Sequence, residues 1–282
     1  MFPYTGMLQY ISAKNAYSMD DIQELQNFAK ANNLKVMPLI QTFGHMEFVL
    51  KSDFNKLREN AYTPQVIDIT QNASYSLIAE MVKQILNAHP DATHLHVGCD
   101  EVYELGKGAT SLQMKSQNLS EAQMFLRHVQ RVASIVREYN GRGVKAIIWD
   151  DELRKISLRD LQGSRLSYLV EIMVWHYTKR VSEIIRSDVW NKYARVFKSV
   201  WIASAFKGAT GARQFFTEPD YHIQNHFGWL DVIAANNQQV NFKGVALTGW
   251  QRYDHFATLC ELLPVSLPSL AVCLANDKWR IY

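Results

Sequence analysis

Two hydrophobic patterns alternate along this chain: short apolar runs, and longer segments in which apolar residues recur at helical spacing. The apolar runs predict strands at residues 34–40, 94–99, 145–149, 170–175, 200–203 and 244–248. The helical patterns predict a first helix that begins at a Ser18/Asp21 capping box, and further helices at residues 72–88, 120–139, 180–193, 221–235 and, in broken form, 259–274. Strand followed by helix, repeated about six times, predicts a parallel sheet with right-handed crossovers.

Polar and aromatic side chains follow nearly every predicted strand. In a barrel the carboxyl ends of all strands face one pocket, whereas in an open sheet only the loops at the switch point do. The pattern therefore favours an α/β fold of the TIM (β/α)8-barrel type. Because no linker or composition shift interrupts it, we expect one domain over residues 1–282. The residues at these strand ends are His45, Asp100, Glu101, Trp149, Asp150, Trp175, Tyr177, Trp250 and Tyr253.

Two adjacent carboxylates, Asp100 and Glu101, follow Gly98 at the end of one predicted strand. Neighbouring side chains of a strand point to opposite faces, so both acids serve one pocket only where the strand stops and the backbone turns. Gly98 permits such a turn. The alternative is that Asp100 caps a helix and Glu101 lies in its first turn. The two acids alone leave both interpretations open.

Composition limits the partners and the cellular compartment that we expect for this protein. The net charge is +3 and no basic run interleaves with aromatic residues, so nucleic acid is not implied. Three cysteines argue against a disulfide framework and fit a reducing compartment. No N-terminal signal peptide and no run of about 18 apolar residues is found, so we expect a cytoplasmic or nuclear protein without a membrane span.

The segment His96-Val97-Gly98-Cys99-Asp100-Glu101 resembles the H-x-G-G-D-E signature of family 20 glycoside hydrolases, the β-N-acetylhexosaminidases. Cys99 stands where the second glycine usually does. Residues 38–48, 98–103, 203–211 and 248–255 resemble the hexosaminidase D branch of that family. The family barrel has eight strands and the pattern yields about six, so we expect the chain to lack the first two βα units, as an N-terminally truncated barrel would.

The resemblance implies a retaining glycosidase in which the acetamido oxygen of the substrate is the nucleophile, an exception to the usual two-carboxylate scheme. Glu101 would protonate the leaving oxygen and later deprotonate water, which requires a raised pKa. Asp100 would accept the acetamido N–H, and Tyr177 would donate to the acetamido carbonyl. No cofactor or metal is implied. The other candidate substrate-binding residues are Trp149, Trp175, Trp250, Tyr253, Asp150, His45 and His96. Three of these also have alternative roles: Asp150 as a helix cap, His45 as a structural histidine and His96 as a support behind the acids.

Two rival functions remain open. A metal-dependent barrel hydrolase would use His94, His96, His45, Asp100 and Glu101 as zinc ligands. A sugar-binding protein without turnover would follow from loss of the early strands. The expected partners are glycoconjugates that contain N-acetylhexosamine, with the hexosaminidase D likeness favouring N-acetylgalactosamine over N-acetylglucosamine. A homodimer that covers the open sheet edges is a further alternative.

Overall fold

The computed structural model describes residues 2–141 and 143–275. These residues form two compact units. The first contains the described residues up to Ile148 together with Lys155–Val170, and the second contains Trp149–Arg154 together with the described residues from Glu171 onward. No helix in the described ranges has the length and apolar character that a membrane span requires.

A parallel sheet confirms the predicted α/β class. Its strands run in chain order, β1-β2-β3-β4-β5. Parallel register aligns His94 with Lys145, Ile172 with Val200, and Ala203 with Ala246. The strand bounds are β1 His94–His96, β2 Lys145–Trp149, β3 Val170–Trp175, β4 Val200–Lys207 and β5 Phe242–Gly249.

The prediction of a strand at residues 34–40 is wrong. Within that segment a single parallel bridge joins Leu39 to His96. The Ile40 N–H donates to the His96 carbonyl at 2.9 Å, and the His96 N–H donates to the Pro38 carbonyl at 3.0 Å. Proline has no N–H to continue a hydrogen-bonded ladder, so an apolar run that contains Pro38 lies along β1 without becoming a strand.

Helices connect the strands, and most lie where the periodicity predicts them. The Ser18/Asp21 capping box is confirmed: the Asp21 N–H donates to Ser18 Oγ at 3.0 Å and the Ser18 N–H donates to Asp21 Oδ2 at 2.7 Å. In the described part of the chain the helices are α1 Met19–Ala31, α2 Glu47–Leu50, α3 Asn72–Ala88, α4 Ala109–Gln117, α5 Glu121–Glu138, α6 Asp151–Lys155, α7 Leu158–Ser164, α8 Val181–Ile184, α9 Ser187–Ala194, α10 Pro219–Asn236 and α11 Leu263–Leu274, with short 3-10 helices at Gly6–Ile11, Asn55–Leu57, Tyr139–Gly141 and Leu166–Tyr168.

The helix predicted at residues 180–193 is broken in two. Arg186 is extended, with ψ of 169°, and separates α8 from α9. The Trp190 indole N–H donates to the Ile185 carbonyl at 3.2 Å, which satisfies a carbonyl that a continuous helix would have used. A side chain therefore replaces the main-chain partner at this break.

The core of the first unit contains the apolar faces of α3 and α5. Along α3 the buried positions recur every three to four residues, as a core-facing helix requires. They are Leu77, Ile78, Met81, Val82, Ile85 and Leu86, the face that the sequence predicts.

Candidate active site

The segment after β1 turns sharply and presents both acids. Gly98, Cys99 and Glu101 have φ of 68°, 70° and 48°, all in the left-handed region. A Cβ on Gly98 would come within 1.7 Å of Gln41 Oε1, so a side chain at this position would displace Gln41. The next α-helix begins at Ala109, which makes the helix-cap interpretation of the two acids wrong.

His45 lies between the two carboxylates. Its Nε2 atom is 3.3 Å from Asp100 Oδ2 and 3.1 Å from Glu101 Oε2. The Asp100 side chain is 15% exposed and the Glu101 side chain 33% exposed. One acid is therefore largely enclosed while its neighbour is open to a solute.

Two glutamines that the sequence analysis did not single out hold the acids from behind. Gln41 Nε2 donates to Asp100 Oδ1 at 3.0 Å, and Gln65 Nε2 donates to the Glu101 main-chain carbonyl at 2.9 Å. Both lie in loops far from the acids in sequence, so spacing gave no signal for them. They fix the direction of one carboxylate and the backbone of the other.

The charges of these groups depend on one another. Burial alone would lower the pKa of His45, but the hydrogen bonds and charges of Asp100 and Glu101 outweigh it and raise the pKa to about 10. Burial likewise acts to raise the pKa of Asp100, yet His45 and Gln41 hold it below its usual value. The site therefore holds a protonated imidazole beside an ionised Asp100.

The expected direction of the Glu101 pKa is wrong. The His45 hydrogen bond is the largest influence and lowers the pKa of Glu101, with burial opposing it. The mechanism that the resemblance implies requires a raised pKa, which burial or Asp100 was expected to supply, and that expectation omits the imidazole. In the resting site the proton that an acid catalyst needs lies on His45 Nε2.

His96 lies behind the turn. Its side chain is buried, and its Nδ1 accepts a hydrogen bond from the Gly98 N–H at 3.0 Å. Burial lowers the pKa of His96 to about 3, so the ring is neutral at physiological pH. These contacts place His96 as a support for the Gly98 turn.

Four aromatic residues come together in the second unit. The Trp250 indole N–H donates to the Tyr177 hydroxyl oxygen at 3.2 Å. Ring centroids are 6.1 Å apart between Trp149 and Trp250, and 5.2 Å apart between Trp175 and Tyr177. We call Trp149, Trp175, Tyr177 and Trp250 the aromatic cluster. Tyr253, also a candidate sugar ligand, is 54% exposed.

Asp150 is enclosed where β2 meets α6. Its side chain has no exposed surface. Oδ2 accepts from Arg154 Nε at 2.7 Å, and Oδ1 accepts from Arg154 Nη2 at 2.5 Å. The Asp150 main-chain carbonyl accepts the N–H of Leu153 at 2.8 Å, so this residue also begins the turn of α6.

The metal alternative has a partial geometric basis. One ligand atom from each of His45, Asp100 and Glu101 lies within 4.8 Å of the others. Among the described residues, neither His94 nor His96 belongs to such a group. Asp100 and Glu101 raise the pKa of His45, so a metal ion at this group would have to displace the proton from His45 Nε2.

Comparison with known proteins identifies relatives over nearly the whole chain. The family described as "Glycosyl hydrolase family 20, catalytic domain" matches residues 8–251. Hexosaminidase D of Bos taurus is 46% identical over 277 residues, and hexosaminidase D of Homo sapiens is 43% identical over 277 residues. The alignments cover 97% of this chain, but 80% of the bovine protein and 57% of the human protein.

Solved structures confirm the barrel-type fold. A family 20 exo-β-N-acetylglucosaminidase from Vibrio harveyi has a TM-score of 0.61 and 16% identity, covering 92% of this chain and 41% of that one. A β-N-acetylhexosaminidase from Bacteroides fragilis has a TM-score of 0.59 and 16% identity, covering 94% of this chain and 53% of that one. At such identities the likeness concerns the fold.

Proposed function

The chain belongs to glycosyl hydrolase family 20, and from that premise we propose that it is a β-N-acetylhexosaminidase. Its substrates would be glycoconjugates that end in a non-reducing N-acetyl-β-D-hexosamine. The observation that carries the proposal is the arrangement of Asp100, Glu101 and His45, in which a partly exposed acid adjoins an enclosed, ionised one. The two acids have different surroundings and hence different roles.

In the proposed first step the substrate acetamido oxygen attacks the anomeric carbon. The bond to the leaving oxygen breaks, and Glu101 supplies the proton that this oxygen takes. The proton reaches Glu101 from His45 Nε2, 3.1 Å from Glu101 Oε2. A bound sugar excludes water from the Glu101 carboxylate, which raises its pKa and favours this transfer.

Asp100 would stabilise the cyclic intermediate. Formation of the oxazolinium ring places positive charge on the acetamido group, and an ionised carboxylate that accepts its N–H lowers the energy of that charge. Gln41 donates to Asp100 Oδ1 and fixes its orientation throughout, while His45 lowers the pKa of Asp100 in the resting site. In the second step Glu101 removes a proton from water, and the water oxygen attacks the anomeric carbon on the face that the leaving group occupied while the bond to the acetamido oxygen breaks, so configuration is retained. Glu101 then returns this proton to His45 Nε2, 3.1 Å away, which restores the resting site.

The aromatic cluster would bind the apolar parts of the sugar. Indole and phenol rings offer flat apolar surface with a polar edge. The Trp250 N–H fixes the Tyr177 hydroxyl, which we propose donates to the acetamido carbonyl and holds the nucleophile in line. A nucleophile that is part of the bound substrate accounts for much of the expected acceleration.

The test is hydrolysis of chromogenic β-N-acetylgalactosaminide and β-N-acetylglucosaminide by the chain and by Glu101→Gln. Removal of an acid–base catalyst is expected to lower kcat by roughly 10²–10⁴-fold. The matched control is Glu104→Gln, whose carboxylate pairs with Asn60 Nδ2 at 2.8 Å and with Lys107. We propose that the galactosaminide is the better substrate.

Four results would overturn the proposal. Full activity in Glu101→Gln would remove Glu101 from the chemistry, and loss of activity with a chelator would favour a metal-dependent hydrolase. Inversion at the anomeric carbon, followed by proton NMR, would contradict substrate assistance. Saturable binding of N-acetylhexosamine by the folded protein without release of sugar would favour a binding protein.

A further inference from the structure

We propose that Arg154 is a positioning residue that fixes Trp175 within the aromatic cluster, acting through its buried pair with Asp150. Asp150 would then serve the site through Trp175 and not by contact with sugar. The link to sugar binding rests on the proposed function, whereas the link to the position of Trp175 does not.

Both oxygen atoms of the Asp150 carboxylate accept two hydrogen bonds each within the second unit. Besides the two bonds from Arg154, its Oδ2 accepts the Tyr193 hydroxyl at 2.8 Å and its Oδ1 accepts the Trp175 main-chain N–H at 3.3 Å. With no exposed surface, the carboxylate has neither an open side nor a remaining direction for a sugar hydroxyl.

The segment that begins α6 holds Trp175 at three polar groups. Asp150 accepts its main-chain N–H, and Arg154 Nη2 donates to its main-chain carbonyl at 2.7 Å. Asp151 Oδ1 accepts its indole N–H at 3.1 Å. The Arg154 guanidinium also lies 5.7 Å from the centre of the indole ring. Main chain and ring are thus fixed from one side by residues of a single turn.

Stability alone is a weak explanation for this pair. Two charges removed from water lose solvation that their attraction only partly returns, and apolar replacements are often as stable. The pair fixes the orientation of the Arg154 side chain, because a planar guanidinium binds a carboxylate through two parallel hydrogen bonds. The same guanidinium also donates to the Trp175 carbonyl. A lysine ammonium has one nitrogen atom and would not fix this carbonyl and the carboxylate in the same geometry.

The α6 helix is itself anchored at its far end. Lys192 Nζ donates to the carbonyls of Leu153 and Arg154 at 3.0 and 2.8 Å. The arginine therefore projects from a fixed turn, and its length sets where the Trp175 carbonyl lies. Trp175 packs on Tyr177, and Tyr177 accepts from Trp250, so a shift of Trp175 displaces the ring that we propose holds the acetamido group.

The first experiment measures the position of Trp175 without any sugar. The protein is labelled with fluorinated tryptophan, and the Trp175 signal is assigned by its absence in Trp175→Phe. In the fluorine NMR spectrum, Arg154→Met is expected to shift or broaden the Trp175 signal while the signals of the buried Trp190 and Trp229 keep their positions. Arg195→Met is the control, since it removes an exposed arginine elsewhere in the second unit. An unchanged Trp175 signal in Arg154→Met would overturn the proposal.

The second experiment measures turnover. Loss of sugar positioning is expected to raise KM about tenfold in Arg154→Met with a smaller change in kcat, and Arg154→Lys is expected to recover part of the loss.

If Arg154→Met does not fold, Asp150→Asn is used, which keeps the shape of the side chain and removes its charge. The same signal shift is expected there, and an unmoved Trp175 signal in that variant would also overturn the proposal. If the unmodified protein shows no hydrolysis, the proposed function fails while the signal of Trp175 still decides this inference.

Discussion

His45 Nε2 lies within 3.3 Å of the carboxylate of Asp100 and within 3.1 Å of that of Glu101. One imidazolium thus neutralises one of two adjacent negative charges. The site as a whole carries a single negative charge and a single mobile proton. That balance links the stability of the first unit and the proposed chemistry to the same histidine.

The His45 pairing predicts how stability depends on pH. His45 has a pKa of about 10 when folded and 6.5 as its ordinary value. Between those values the folded chain holds a proton that the unfolded chain has lost, so the free energy of unfolding falls as pH rises through this window. Urea unfolding of the wild type should show this decline from pH 7 to pH 10, and His45→Gln should show less of it.

The same variant tests the acid side. The lowered pKa values of Asp100 and Glu101 stabilise the fold above their ordinary range, and this contribution is lost as pH falls. Without His45 the loss on acidification should be smaller. Parallel pH curves for wild type and variant would contradict the proposed pairing.

Asp100→Asn tests electrostatic stabilisation of the intermediate. Replacing a preorganised charge aimed at developing charge is expected to lower kcat by roughly 10²–10³-fold. The change keeps the shape of the side chain, so circular dichroism should be unaltered. Asp91→Asn, at an exposed position, is the control for removal of a negative charge, and equal effects of the two would argue against a role at the site.

Tyr177→Phe removes the hydroxyl that receives the Trp250 indole N–H. The acetamido group would lose a donor and Trp250 a partner, so kcat/KM is expected to fall about 10–100-fold. Steady-state kinetics with both chromogenic sugars provide the measurement. Tyr62→Phe, at a side chain that is 93% exposed, should leave them unchanged. Wild-type kinetics in Tyr177→Phe would place this hydroxyl outside the reaction.

Gly98→Ala tests the turn that presents the acids. Its φ of 68° disfavours a side chain, and a Cβ would collide with Gln41, which positions Asp100. Gly141→Ala is a matched control, because φ is 65° there and no atom lies within 4 Å of the added Cβ. The control should lose about 1 kcal/mol from backbone strain alone. Gly98→Ala should lose more than this and also lose activity; equal stability losses would show that the collision is relieved at no cost.

Local patterns in the sequence predicted the regular elements well. The apolar spacing along α3 gave its bounds, Asn72–Ala88, and the Ser18/Asp21 pair gave the start of α1. The segment at residues 34–40 failed because hydrophobicity describes burial, while strand pairing also requires the N–H that Pro38 lacks. The break between α8 and α9 depends on a side-chain contact of Trp190 that no periodicity records.

The sequence predicted which acids form the site but not the protonation states of its groups. Asp100 and Glu101 stand together in the sequence, whereas the position of His45 between them is a product of folding. The sign of the Glu101 pKa shift follows from that contact alone. Arg154 was overlooked although it lies four residues after Asp150, a spacing at which opposite charges meet on a helix. What the sequence could not show is that the same guanidinium also reaches Trp175.

The left-handed backbone around the acids also sets which mutations this segment tolerates. His45, Cys99 and Glu101 have φ between 48° and 70°, a range that β-branched residues rarely adopt and that asparagine or glycine adopts more easily. A mutational scan scored on protein abundance should therefore deplete valine, isoleucine and threonine at these positions, whether or not the protein is needed as an enzyme. Depletion at position 99 would report the shape of the backbone, while the contrast between glutamate and glutamine at position 101, in a scan scored on activity, would report chemistry.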